Sequence, residues 1–567
     1  MKKLLAIFLL LLGLAVAIAV GAIALAGRSA PSLGTARVLA LKLDEPLVDY
    51  APEPRLPFVR IAPRQSLATI YRAVRRARRD DGIKGLALYI QDASMGLAQA
   101  QELRRLVASL AAAGKRVACY LEGAGEGSNG TLDYFLATAC PRIALTPASD
   151  VNLLGLLADS AFLRGTLDKL KIEPNFHHVG DYKSASETYT ETEHSPAAEE
   201  ALAALLDDFY AQIVAAVAES RRLSASQVRE LVDGAPYTAD RALALGLVDE
   251  LAYPDEFEAR LLEEAGGATL LELDDYGGPP RRGRRLAVVF AQGVIVRGEG
   301  GLEPWSQQRY LGSDDLAETL SRLAEDSAVA AVVLRIDSPG GSALASELML
   351  RAVVRLTEAK PIVVSMSSLA ASGGYYIAAR TTKIVAEPGT LTGSIGVVGG
   401  KLVTRRFQQE LLGISHDALA RGANADFYST LTPFDPDQEE RFRTQMEAVY
   451  RRFVGHVAEG RGLSPAAVEE LARGRIWSGE RARELGLVDE IGGLDRALEL
   501  AAEAAGVPLA ELGVAYYPEP PSWLEILEGR RTLATRSPLA ALEAALAPHA
   551  PQLLELPAEL ARLAEPF

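Results

Sequence analysis

Apolar runs alternate with helically spaced positions along most of this chain, and the longest run stands near its start. Every residue from position 4 to position 26 is apolar or Gly, a stretch of 23. As a helix it is long enough to span a hydrocarbon core of about 30 Å. Further on, residues 286–290, 330–336, 362–365 and 383–386 are short and rich in β-branched side chains, which predicts buried strands. Residues 314–324, 343–357 and 438–459 repeat their apolar positions at helical spacing. Strands alternating with helices predict an α/β fold with mostly parallel pairing.

The pattern also repeats as a whole. RALALGLVDE, starting at Arg241, matches RARELGLVDE, starting at Arg481, at eight of ten positions. Upstream and in the same register, Tyr210, Val217, Arg221, Val228 and Gly234 recur as Tyr450, Val457, Arg461, Val468 and Gly474. An offset of 240 residues is domain-sized, whereas solenoid units repeat every ~20–50 residues. The expected organisation is an apolar segment at 1–27, a first repeat at 36–276, a second at 286–512 and an Ala/Leu/Pro-rich helical tail at 513–567. Gly277-Gly278-Pro279-Pro280 and the residues after it have the composition of a linker.

Charge and composition narrow the function. A formal net charge of -15 gives no overall footprint for nucleic acid, and the basic clusters at 72–79 and 281–285 are local. Lys2 and Lys3 precede the first apolar run, so the positive-inside rule leaves the N-terminus in the cytoplasm and sends the bulk across. The run reads as an uncleaved anchor; a cleaved signal peptide with Ala24-Leu25-Ala26 as its site is the rival. Cys119 and Cys140 are the only cysteines, and pairing or buried free thiols both suit them. The six histidines show no metal-ligand spacing, so no metal and no other cofactor is expected.

The candidate chemistry lies on glycine-rich turns of the second repeat. Ser372 stands in Ala370-Ala371-Ser372-Gly373-Gly374-Tyr375, where small neighbours leave its hydroxyl open to a substrate. Upstream, Ser338-Pro339-Gly340-Gly341-Ser342 links a strand to a helix, and the Gly340 and Gly341 amides suit an oxyanion hole. Downstream, Thr392-Gly393-Ser394-Ile395-Gly396 offers a further hydroxyl at Ser394. Parallel sheets collect such loops at the carboxyl ends of their strands. Gly125-Glu126-Gly127-Ser128-Asn129-Gly130 matches G-x-G-x-x-G, but aligning the repeats sets Gly130-Thr131 over Ala371-Ser372. It therefore reads as the first repeat's version of the serine turn.

A serine nucleophile needs a proton acceptor, and no histidine lies near these turns. A buried lysine is the other candidate. Lys183 lies in Gly180-Asp181-Tyr182-Lys183-Ser184 of the first repeat, and the corresponding stretch 421–427 of the second has no lysine. The serine turn shows the reverse, with Ser372 in the second repeat and Thr131 in the first. Complementary losses are what one composite site kept from a duplicated enzyme would leave, although a surface lysine and a structural turn would carry the same residues.

These motifs, with the apolar N-terminus and the duplication, resemble the long form of the signal peptide peptidase A (protease IV) family of serine peptidases. The resemblance covers everything but the tail. It implies a tandem duplication of a Clp-protease/crotonase-like domain behind an N-terminal transmembrane helix. It implies a dyad of Ser372 as nucleophile and Lys183 as general base and acid, Gly340 and Gly341 as oxyanion donors, and Ser394 and Gly373 in support. Implied substrates are signal peptides and other apolar peptides at the bacterial inner membrane, with the bulk of the chain on the periplasmic side and a ring-like homotetramer as the assembly. The Asp181-Tyr182 pair before the lysine departs from the family pattern. A crotonase-type acyl-CoA enzyme and a non-catalytic membrane scaffold are the alternatives.

Overall fold

The β-branched runs form two mainly parallel sheets, one in each repeat, so that the fold is a tandemly duplicated α/β domain. A computed structural model describes residues 36–520 apart from 53–64, 92, 277–282, 304, 305 and 307. The apolar run at 4–26, most of the linker and residues 521–567 lie outside the described residues.

The first sheet runs in the order Glu250–Leu251, Ile143–Leu145, Arg116–Gly123, Ile83–Gln91, Arg37–Leu43, Thr269–Glu272. The second has the same order in Glu490–Ile491, Lys383–Ala386, Ile362–Ala371, Val329–Ser338, Arg285–Gln292, Gly513–Tyr517. Leu391–Gly393 and Ile476–Ser478 extend it beside the end of Ile362–Ala371. Two elements differ from expectation. Gly513–Tyr517, expected in the tail, pairs in parallel with Arg285–Gln292, because the alternating Val514 and Tyr516 pack on the apolar cluster that the halves share. The strand expected to stop at residue 365 runs on to Ala371; Ser338 and Leu391–Gly393 pair with its small-residue end and keep it extended up to Ser372.

Among the described residues one helix, Pro196–Arg221, is long and apolar enough to cross a membrane by length and composition alone. Here it spans the two repeats instead. Asp208 accepts from Ser478 Oγ at 2.6 Å, and Gln212 Nε2 donates to Pro388 O at 3.2 Å and Glu480 Oε2 at 3.0 Å.

The repeats also share a core. One apolar cluster includes Leu41, Leu88 and Leu121 from the first sheet with Leu286, Val333 and Val363 from the second. At its edge lies Arg335, the largest fully buried side chain among the described residues. Its Nε donates to Asp49 Oδ2 at 2.7 Å and its Nη2 to Glu102 Oε2 at 2.6 Å, both in the other repeat. Ser365 and Ser367 accept from the same guanidinium, and Glu102 also accepts the Leu494 amide at 2.8 Å. Such a group is tolerated in an interior only when its charges are paired and its protons used. Cys119 and Cys140, left open by the sequence, form a disulfide that ties the strand Arg116–Gly123 to the segment after the helix Thr131–Ala137.

Replacing Arg335 by Ala leaves Asp49 buried without its ion-pair partner and Glu102 with only the field of Arg105, and is expected to cost about 3–5 kcal/mol of stability in denaturant unfolding. A loss below ~1 kcal/mol, the range of exposed ion pairs, would contradict this account of the junction.

Candidate functional site

The serine turn begins where Ile362–Ala371 ends. Ser372 has φ 53° and ψ -118° and caps the helix Gly373–Ala378. A non-glycine residue in that region carries roughly 1–3 kcal/mol of strain and persists only where its surroundings hold it. Here the Ser372 amide donates to Gly393 O at 2.9 Å, and its carbonyl accepts the Tyr376 amide at 2.9 Å. The side chain is only partly buried. Strand, strained residue and helix together raise the hydroxyl above the sheet edge.

Lys183 reaches this hydroxyl from the other repeat. The strand Glu173–Val179 pairs antiparallel with Val397–Val403, with Val179 opposite Val397. That register brings the turn after Val179 beside Ser394. Lys183 is 6 % exposed. Its Nζ donates to Ser372 Oγ at 3.1 Å, Ser394 Oγ at 2.9 Å and Ser394 O at 3.1 Å. Among the described residues no carboxylate bonds to it. Burial therefore acts without a compensating anion and lowers the lysine pKa from 10.5 to about 8. About a tenth of the amine is then neutral at pH 7, and about half at pH 8, in hydrogen-bond reach of a hydroxyl.

Ser394 itself has φ 51°. Its amide donates to Arg475 O at 2.7 Å, which leaves both of its oxygens to the lysine.

The glycine loop after Val329–Ser338 abuts the serine. A Cβ on Gly340, at φ +98°, would stand 2.6 Å from Gly373 N and 2.8 Å from Ser372 Cβ, so no side chain fits there. The two expected oxyanion amides are not equivalent. Gly340 N donates to Ser338 Oγ at 3.2 Å, because that hydroxyl is fixed by its own donation to Gly293 O at 2.7 Å. Among the described residues the Gly341 and Gly373 amides have no protein acceptor. Of the glycine amides on these two turns, Gly340 N is thus engaged locally, while Gly373, whose backbone lies against Gly340, follows Ser372 directly.

The matching turn of the first repeat has lost these features. Tyr134 and Tyr375 make the same bond, to Leu247 O and Leu487 O, each at 2.8 Å. This sets Thr131 against Ser372. Yet the helix there is capped by Gly130, and Thr131 Oγ1 is buried, accepting the Gly155 amide at 2.9 Å. Its hydroxyl is committed to the loop.

One element was not singled out in the sequence. Gly474, at φ +82°, lies against the lysine so closely that a Cβ there would be 2.5 Å from Lys183 Cβ. Its amide donates to Ile395 O at 2.8 Å, and Arg473 O accepts the Tyr182 amide at 2.8 Å. The segment 473–475 is therefore a backbone seat between the lysine turn and the Ser394 turn. Its trace in the sequence was the recurrence of Gly234 as Gly474.

Two stretches of the chain, residues 110–267 and 355–508, match Peptidase family S49. One falls in each repeat, and together they cover more than half of the chain. The chain is 32% identical over 447 residues to "Serine protease SPPA, chloroplastic" of Arabidopsis thaliana, covering 76% of this chain and 65% of that one. It is 32% identical over 495 residues to "Protease 4" of Salmonella typhi, covering 84% and 77%. "Protease 4" of Haemophilus influenzae is 31% identical over 455 residues, covering 76% and 71%.

Competitive acylation of lysines across a pH series is expected to show Lys183 titrating at about 8 rather than at 10.5. Gly474→Ala, which pushes on the lysine Cβ, is expected to raise that value. Titration of Lys183 above 10 in the parental protein would contradict the burial described.

Proposed function

Because the chain belongs to Peptidase family S49, we propose that it is a serine peptidase whose single composite site joins Ser372 of the second repeat to Lys183 of the first. The observation that carries this reading is the buried Lys183 amine, 3.1 Å from Ser372 Oγ and held by hydroxyl and carbonyl groups alone.

In the proposed reaction the neutral Lys183 amine takes the proton of Ser372 as Oγ attacks a peptide carbonyl. The Gly341 and Gly373 amides stabilise the resulting oxyanion, a contribution of about 10²–10³-fold per donor in other hydrolases. The ammonium then gives its proton to the leaving amine, and the C–N bond breaks to leave an acyl group on Ser372. A water molecule, deprotonated by the same amine, releases the acid and restores the hydroxyl. Ser394 holds Nζ on its path throughout by accepting two of its hydrogen bonds. The acyl-CoA alternative would leave the contact between Lys183 and Ser372 without a use.

Substrates are signal peptides and other apolar peptides left at a membrane, and the enzyme works from the bacterial inner membrane with its bulk outside the cytoplasm. The apolar run after Lys2-Lys3 supports that location. So does the Cys119–Cys140 disulfide, a bond that persists in oxidising compartments. The homotetramer rests on the resemblance.

Ser372→Ala and Lys183→Ala are each expected to lower kcat/KM on an apolar fluorogenic peptide by ~10³-fold or more. In the parental enzyme activity rises with pH and levels off above about 8, since the base is competent only when unprotonated and burial has lowered its pKa to that value. Parental cleavage by either variant, or a profile flat from pH 6 to 9, would overturn the dyad.

A further inference from the structure

Lys183 is carried on a turn of one repeat and acts, in the reading above, on a hydroxyl of the other. Something must fix the height and angle of that turn, because a lysine stem is flexible and a neutral amine is weakly oriented. The backbone bond from Tyr182 N to Arg473 O supplies one tie. A second tie is made of side chains.

The Arg475 guanidinium lies between two aromatic rings, 4.8 Å from the centroid of Tyr182 and 4.6 Å from that of Trp477. Its Nη1 donates to Glu200 Oε1 at 2.7 Å, and the Tyr182 hydroxyl donates to the other oxygen of that carboxylate at 3.2 Å. Trp477 is anchored in turn by its Nε1 bond to Leu471 O at 3.0 Å. Arg473, whose guanidinium carbon lies 6.0 Å from the Tyr182 centroid, pairs with Asp181. The buried Arg475 Nε has no acceptor among the described residues. Ring stacking and one carboxylate, not a full set of hydrogen bonds, therefore set where this side chain sits. The backbone of the same residue accepts the Ser394 amide at 2.7 Å. Arg475 thus grips the residue before Lys183 through its side chain and the residue that orients Nζ through its carbonyl.

We propose that Arg475, stacked on Tyr182, is a positioning residue that sets where the Lys183 amine meets Ser372. The inference rests on the dyad reading and deepens it. It also gives a use to Tyr182: an aromatic ring next to the lysine is the surface on which the guanidinium lies. Lys in place of Arg475 would keep the charge and lose the planar stack.

The test uses the full chain in detergent, with steady-state cleavage of an apolar fluorogenic peptide across pH. Arg475→Ala and Arg475→Lys are expected to lower kcat by about 10- to 100-fold, the scale of an ångström-level misplacement. KM should stay within about twofold, since no substrate contact is removed. The rising limb of the pH profile should move to higher pH as water reaches the loosened amine. Tyr182→Phe keeps the ring and should stay within about threefold of the parent, whereas Tyr182→Leu should match Arg475→Ala. The double variant Arg475→Ala/Tyr182→Leu should lose less than the product of the two single losses, because the stack between these two side chains is removed by each change.

Parental kcat and pH limb in Arg475→Ala would overturn the proposal. So would equal damage from Tyr182→Phe and Tyr182→Leu, or losses that multiply in the double variant. The Tyr182 pair keeps the test decisive if the Arg475 variants fail to fold. Ser372→Ala and Lys183→Ala, run alongside, separate the two levels: if they remain active the dyad itself fails, and if they are inactive while Arg475→Ala is parental only the positioning role fails.

Discussion

An amine that is to accept a proton near neutral pH must hold its own proton weakly, and in this chain burial alone loosens it. Lys183 has hydroxyl and carbonyl partners but no carboxylate among the described residues, and its pKa falls to about 8. A nearby anion would have reversed that shift. The arrangement of the rest follows from this constraint. The lysine has to be enclosed without a counter-charge and yet touch a hydroxyl that stays partly open, and contact between the two repeats meets both conditions. The strand Glu173–Val179 lies on Val397–Val403 of the other repeat, the 473–475 seat closes over the lysine turn, and the Ser372 turn remains at the edge of its own sheet.

Duplication explains how such a division arises. Both repeats keep the same strand order and the same tyrosine-to-carbonyl bond behind the serine turn. Only the second keeps a free hydroxyl there, because Thr131 is locked onto Gly155. Each half is therefore incomplete, and the proposed chemistry depends on the junction that joins them. The buried Arg335 group belongs to that junction. It lies on the strand whose end carries Ser338 and the glycine loop, and its carboxylate partners come from the first repeat. Fold stability and site geometry are thus linked through one set of contacts across the halves.

Much of this was legible in the sequence because it is local or periodic. The duplication, the strand-turn-helix around Ser372 and the reciprocal loss of serine and lysine could all be read from residue patterns, and the structure brings Lys183 and Ser394 to Ser372. What escaped depends on contacts distant in the chain. The strand Gly513–Tyr517 is too short to announce itself, and its place is set by Arg285–Gln292. Residues 366–371 carry two serines and two alanines and no β-branched side chain, and pairing on both sides makes them a strand. The local engagement of the Gly340 amide turns on a single hydroxyl, Ser338 Oγ. Arg335, Asp49 and Glu102 are far apart in sequence and give no sign there of meeting in the core.

The central claim is that one chain supplies both halves of its own site, and co-expression of two inactive chains tests it most directly. Lys183→Ala and Ser372→Ala chains, carrying different tags and purified as mixed assemblies, should show no peptide cleavage above either variant alone, since every intrachain site then lacks one partner. Recovery of activity in the mixed assemblies would mean that Lys183 reaches the Ser372 of a neighbouring chain and would contradict the account.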